Sequence, residues 1–157
     1  MARGLLPFRE SLVLESAALL HDMGKLCVPD SILLKPRLLS KEEWRVLRKF
    51  DRIGIEIINN TFRNKMLVEI LQSYRAWYTS NPDYPELPTG ENIPLGARIL
   101  AIADAYDAMT SHKVYRKNRP PQEALRELQA CAGTQFDPQW VERLVALVES
   151  SDALKPS

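Results

Sequence analysis

An all-α domain of about six to seven helices is what this sequence predicts, on three observations. Apolar residues recur at helical spacing over most of the chain, and no segment alternates apolar and polar residues as a half-buried strand would. Helix start and stop signals also bracket those stretches, among them Gly24, the Ser40/Glu43 pair, Pro94 and Asp137. The 157 residues suffice for one core, and 45% hydrophobic with 26% charged residues is the balance of a folded globular chain. Lys and Arg number 21 against 20 Asp and Glu, a net charge of +1, so the whole-chain field points neither to nucleic acid nor to an anionic membrane. The aliphatic run from Ile99 to Ala103 is far shorter than the roughly 18 apolar residues of a membrane span. Pro7 and charges interrupt the N-terminus before an apolar export core develops, so a cytoplasmic location is expected. Cys27 and Cys131 lack CxxC spacing and read as buried thiols of a reducing compartment.

The elements follow in order. Glu10 to Met23 reads as the first helix, with Leu12, Val13, Ala17 and Leu20 near one face and Gly24 as its stop. Pro29-Asp30-Ser31 opens a short helical turn. Ser40 and Glu43 have the spacing of a capping box, which starts a helix at Lys41 and turns Trp44, Leu47 and Phe50 inward; Asp51 to Asn60 continues or kinks it. From Lys65 to Tyr78 the set Leu67, Ile70, Leu71, Tyr74 and Tyr78 forms a core-facing stripe. Thr79 to Ile93 contains Pro82, Pro85, Pro88 and Gly90 and reads as a long irregular loop, a class that often carries function. Pro94, at the first helical position, opens an apolar helix to about Met109, and a basic loop from His112 to Lys117 follows. Pro121 to Ala132 and Pro138 to Ser150 complete the helices, the latter capped by Asp137 and striped by Val141, Leu144, Val145 and Val148. The domain is placed at 1–152, with 153–157 a flexible tail.

Three features depart from a plain structural pattern. His21-Asp22 closes an apolar turn, and at a helix end the pair can converge on one ion, N plus O ligation that suits Zn, Mn or Fe. The alternative is a helix C-terminal His interacting with the dipole and an Asp beginning a turn. Asp104 is enclosed by Ile99, Ile102 and Tyr106, and a carboxylate there must be paired, hydrogen-bonded or metal-bound, unless it reaches solvent. Lys25, Lys113, Arg116 and Lys117 offer point charges and a bidentate fork suited to phosphate, or else ordinary solvated charge.

These features stand in an order and spacing that resembles a known family. Ala17-Ala18-Leu19-Leu20-His21-Asp22-Met23-Gly24-Lys25 through Pro36, the stretch Ile93 to Ser111, Tyr115-Arg116 and Gly133-Thr134-Gln135-Phe136-Asp137-Pro138 resemble the signature of HD-GYP domains, a branch of the HD phosphohydrolases. The resemblance covers nearly the whole chain. It implies an all-helical domain that holds two or three metal ions, usually iron or manganese, and hydrolyses cyclic di-GMP. Carried over by position, it makes His21, Asp22 and Asp104 metal ligands and gives Lys25, Lys113 and Arg116 to substrate phosphates. Elsewhere the pattern departs from the family. Phe50 stands where the family has a His, and Ser73 and Tyr74 stand where it has a His-His pair before Trp77. Asp83-Tyr84-Pro85 replaces Gly-Tyr-Pro in a loop with two extra residues, and the family's first helix, with further ligands, would precede residue 1.

With 2 His in the chain, a two-metal cluster is not expected, and at most one weakly bound Mn, Fe or Zn falls to His21, Asp22 and Asp104. The expected function is a degenerate HD-GYP domain, a non-catalytic binding or regulatory module in bacterial cyclic di-GMP signalling. The alternative is a metal-dependent phosphodiesterase with a reduced or partner-completed site, in which Asp22 and Lys25 are catalytic. Implied partners are a cyclic dinucleotide, a signalling protein such as a diguanylate cyclase domain at the Asp83, Tyr84 and Pro85 loop, and a second copy of the chain.

Overall fold

Seven α-helices and no strand make up the described residues of the computed structural model, which are 6–35, 39–111 and 118–153. They are α1 (Phe8–Leu20), α2 (Asp30–Leu33), α3 (Lys41–Phe62), α4 (Lys65–Ser73), α5 (Leu95–Thr110), α6 (Pro121–Ala130) and α7 (Pro138–Ala153), with 3-10 turns at Met23–Cys27 and Gly90–Asn92. The all-α expectation holds. The Ser40/Glu43 capping box is formed, and α3 runs through Asp51 to Phe62 without a break. Asn64 caps α4 by accepting from the Leu67 amide at 3.1 Å. Asp137 caps α7 by accepting from the Gln139 amide at 2.9 Å, while its other oxygen takes Arg98 Nη1 at 2.7 Å and ties α7 to α5.

The core forms where α1, α4 and α5 meet, from Leu14, Ala17, Leu67, Ile70, Ala97 and Leu100, and it extends through Leu128, Trp140 and Val141 of α6 and α7. The turn Met23–Cys27 lies directly along α3. Gly24 and Gly54 make this contact possible: a Cβ on Gly24 would stand 2.5 Å from the Phe50 carbonyl oxygen, and one on Gly54 would stand 2.6 Å from the Gly24 nitrogen.

Several expected details are corrected. α1 ends at Leu20, and the chain tightens into the 3-10 turn, so Gly24 serves as a packing surface for α3 and not as a helix stop. Its buried face is Ser11, Leu14 and Ala17, and Leu12 is exposed; Phe8, Leu12 and Leu19 form a second apolar stripe on α1, which made the inward face ambiguous in the sequence. Trp44 is exposed, and Phe50 only partly buried, because α3 turns Leu47, Gly54 and Ile58 inward. α4 stops at Ser73, short of Tyr78, whose amide goes instead to the Gln135 carbonyl at 3.0 Å. Pro94 is the N-cap of α5 and not its first helical residue. Cys27 is an exposed free thiol and Cys131 a partly buried one. None of the described helices is long and apolar enough to cross a membrane.

Candidate functional site

His21 is the C-cap of α1, its amide bonded to the Ala17 carbonyl at 2.9 Å. Its ring is fixed by Nδ1, which donates to the Ala18 carbonyl at 2.7 Å, and by the Tyr74 ring, edge-on at 5.7 Å. Nε2 consequently faces two carboxylates, Asp104 Oδ1 of α5 at 3.5 Å and Asp22 Oδ1 at 3.6 Å. In the neutral imidazole with Nδ1 protonated, Nε2 is a bare lone pair aimed at two anions. Protonation removes that repulsion. The contact with Asp104 therefore raises the His21 pKa above its ordinary value against the opposing effect of burial, with help from the Ala18 carbonyl and Asp22. His21 in turn holds the Asp104 carboxyl below the usual carboxylate range, again against burial.

The expected enclosure of Asp104 is corrected, since its side chain is 46% exposed. α5 buries Ile99, Leu100 and Ile102, and Asp104 falls outside that face, at the border of a cleft. Local apolar composition overstated its burial. The convergence of His21, Asp22 and Asp104, by contrast, is present in the fold. Lys25 joins them from the 3-10 turn, with Nζ 2.7 Å from each oxygen of Asp22.

Two residues that sequence reasoning passed over complete the cluster. Asp51 of α3 pairs with Arg75, just past α4, at 2.9 Å, and both are largely buried. Desolvation raises the Asp51 pKa, opposed by the charges of Arg75 and Lys25. The Arg75 guanidinium lies 5.2 Å from the Tyr74 ring centre, and the Arg75 carbonyl accepts from Asn81 Nδ2 at 2.8 Å. A signal for Asp51 was present: it sits in helical register with Leu47, Gly54 and Ile58, a carboxylate on an inward face. Arg75 and Asn81 had no such signal: Arg75 lies inside the helix expected from Lys65 to Tyr78 but is not part of its apolar stripe, and Asn81 lies in the irregular loop.

Tyr74, Arg75 and Tyr84 line two clefts. The larger, of about 540 Å³, runs between α3 and the loop and is bordered by His21, Arg48 and Arg52; the smaller, of about 210 Å³, is bordered by Asp104. Arg48 lies 5.5 Å from the Tyr84 ring centre. Buried Asn81 shapes the loop here, its Oδ1 accepting from the Asp83 amide at 2.9 Å, which leaves Asp83 and Pro85 exposed and Tyr84 half-buried beside both clefts. Lys113 and Arg116 of the basic loop lie outside the described residues.

Whether these donors suit a metal ion depends on their lone pairs. A tetrahedral ion with bonds of about 2.1 Å separates its ligand atoms by roughly 3.4 Å. The 3.5 and 3.6 Å separations from Nε2 come near that spacing. Asp22, however, has the Lys25 ammonium 2.7 Å from each of its oxygens, and among the described residues no group of three or more His, Cys, Asp or Glu is disposed to hold a metal. As arranged, the cluster does not fit one.

Known proteins resemble this chain over most of its length. The family described as HD domain matches residues 3–140. The chain is 39% identical over 137 residues to the cyclic di-GMP phosphodiesterase response regulator RpfG of Xanthomonas campestris, across 87% of this chain and 36% of that protein. It is 35% identical over 150 residues to the 3'3'-cGAMP-specific phosphodiesterase 2 of Vibrio cholerae, across 94% of this chain and 28% of that protein. It is 34% identical over 139 residues to a cyclic di-GMP phosphodiesterase of Thermotoga maritima, across 85% of this chain and 37% of that protein. The chain thus spans about a third of the length of these relatives.

Proposed function

This chain belongs to the HD domain family, of the HD-GYP type, and from that premise we propose that it binds a cyclic dinucleotide as a recognition or regulatory module rather than as a hydrolase. The ligand class rests on the relatives, whose names assign them cyclic di-GMP or 3'3'-cGAMP. The module role rests on one observation, the claim of Lys25 on both oxygens of Asp22. Two-metal diester hydrolysis needs a cation pair to generate and flank the attacking hydroxide. Phe50, Ser73 and Tyr74 bring no imidazole to that task. Lys25, Lys113 and Arg116 are the proposed phosphate contacts, and the third proton of the Lys25 ammonium is free of Asp22.

The second reading is a metal-dependent phosphodiesterase with a reduced or partner-completed site, Asp22 and Lys25 being catalytic. The relatives' names favour it more directly than they favour a silent module. A turnover assay on cyclic di-GMP and 3'3'-cGAMP with added Mn²⁺ or Fe²⁺, run beside calorimetric binding at two salt concentrations, separates the two. The module reading expects no turnover and weak, salt-sensitive binding that Arg116→Ala lowers about tenfold. Metal-dependent turnover abolished by Asp22→Asn establishes the second reading. Neither binding nor turnover would move the function to a protein partner at the Tyr84 loop, a signalling domain such as a diguanylate cyclase, with capture by the loop-deleted protein as the check.

A further inference from the structure

Three carboxylates from three elements, Asp22, Asp51 and Asp104, surround His21 and Tyr74, and each faces a cation of the chain itself. Lys25 Nζ is 2.7 Å from Asp22, Arg75 Nη2 is 2.9 Å from Asp51, and His21 Nε2 is 3.5 Å from Asp104. The Arg75 head is held against Tyr74 and its carbonyl by Asn81, so its charge is fixed in place. Two unit charges built into the fold supply the total charge of one divalent ion. A metal entering here would have to displace an ammonium from half-exposed Asp22 and would meet a guanidinium already seated on Asp51, where the largely buried pair opposes it at short range.

We infer that Lys25 and Arg75 are the resident cations of this pocket: they pair with Asp22 and Asp51, hold the site closed to divalent metal ions, and their removal opens it to one. Residues Phe50, Ser73 and Tyr74 withhold imidazoles, and Asp51 and Arg75, next to them in the chain, bridge the same two stretches instead. The inference concerns metal alone, and its test contains no dinucleotide, so the ligand reading above stands or falls separately.

Calorimetric titration of the full chain with MnCl₂ and ZnCl₂, together with thermal melts with and without EDTA, tests it on the wild type, Lys25→Met and Arg75→Met. The wild type is expected to show no saturable binding and no change of Tm with EDTA. Each variant is expected to gain affinity for one ion by at least roughly tenfold, and the lowered Tm of Arg75→Met is expected to recover with Mn²⁺. Asp104→Asn placed on Lys25→Met should abolish the gain. Stoichiometric tight binding by the wild type, variants that gain nothing, or a gain that survives Asp104→Asn would overturn the inference. Should Arg75→Met fail to fold, Lys25→Met decides, because Lys25 is partly exposed and buries no unpaired partner when removed.

Discussion

At His21 the location of a single proton decides what the site holds. Its folded pKa is raised, so the stability that the charged imidazole contributes beside Asp104 is in place below its ordinary value of 6.5 and is lost as pH rises through the raised folded value. Asp104 carries the opposite dependence, present above its ordinary 3.8 and lost as pH falls through its depressed folded value. With Asp104 half exposed, the worth of the pair is below about 1 kcal/mol. Urea midpoints measured from pH 6 to pH 9 should therefore decline for the wild type relative to His21→Gln, which lacks the slope; parallel curves would remove the charged pair from consideration. His21, Asp22 and Asp104 stood out from their apolar contexts in the sequence, and the family resemblance brought them together with Lys25. Arg75 did not stand out, because its partner Asp51 lies on another element and no local period records a pairing across space.

Among the elements, the turn Met23–Cys27 and α3 behave as one piece, with Gly24 and Gly54 in backbone-to-backbone contact. An alanine in the middle of an ordinary helix is worth up to about 1 kcal/mol more than glycine. At position 54 the sign reverses, since the added methyl would meet backbone atoms of Gly24 at 2.6 and 2.7 Å. Gly54→Ala should destabilise by about 1–3 kcal/mol, read as a lowered urea midpoint at unchanged m-value, and a neutral or stabilising result would mean that the turn is free to withdraw. The α-helices were legible as elements, as in the Ser40/Glu43 box and the Asp137 cap, both local chemistry, whereas the two 3-10 turns were not. Element ends were less legible than the helices themselves. α4 stops at Ser73 because the Tyr78 amide finds the Gln135 carbonyl, a partner far along the chain, and α1 presents two apolar stripes between which only packing against α4 and α5 chooses.

For the molecule as a whole, the fold class was readable from periodicity, whereas the charge network emerged only once α1, α3, α4 and α5 were brought together. That separation along the chain has a kinetic consequence. The contact between His21 and Asp104 closes a loop that includes α2, α3 and α4, and such closures become favourable only after the segments between are ordered. The pair should then be absent from the rate-limiting ensemble for folding and present only on its native side. In stopped-flow chevrons, Asp104→Asn is expected to leave the refolding arm unchanged and to steepen nothing, while the unfolding arm moves to higher rates. A slowed refolding arm would instead place the encounter of α1 and α5 inside the nucleus. On the first outcome the site acts as a latch fastened last, and its grip is felt as the lifetime of the folded state.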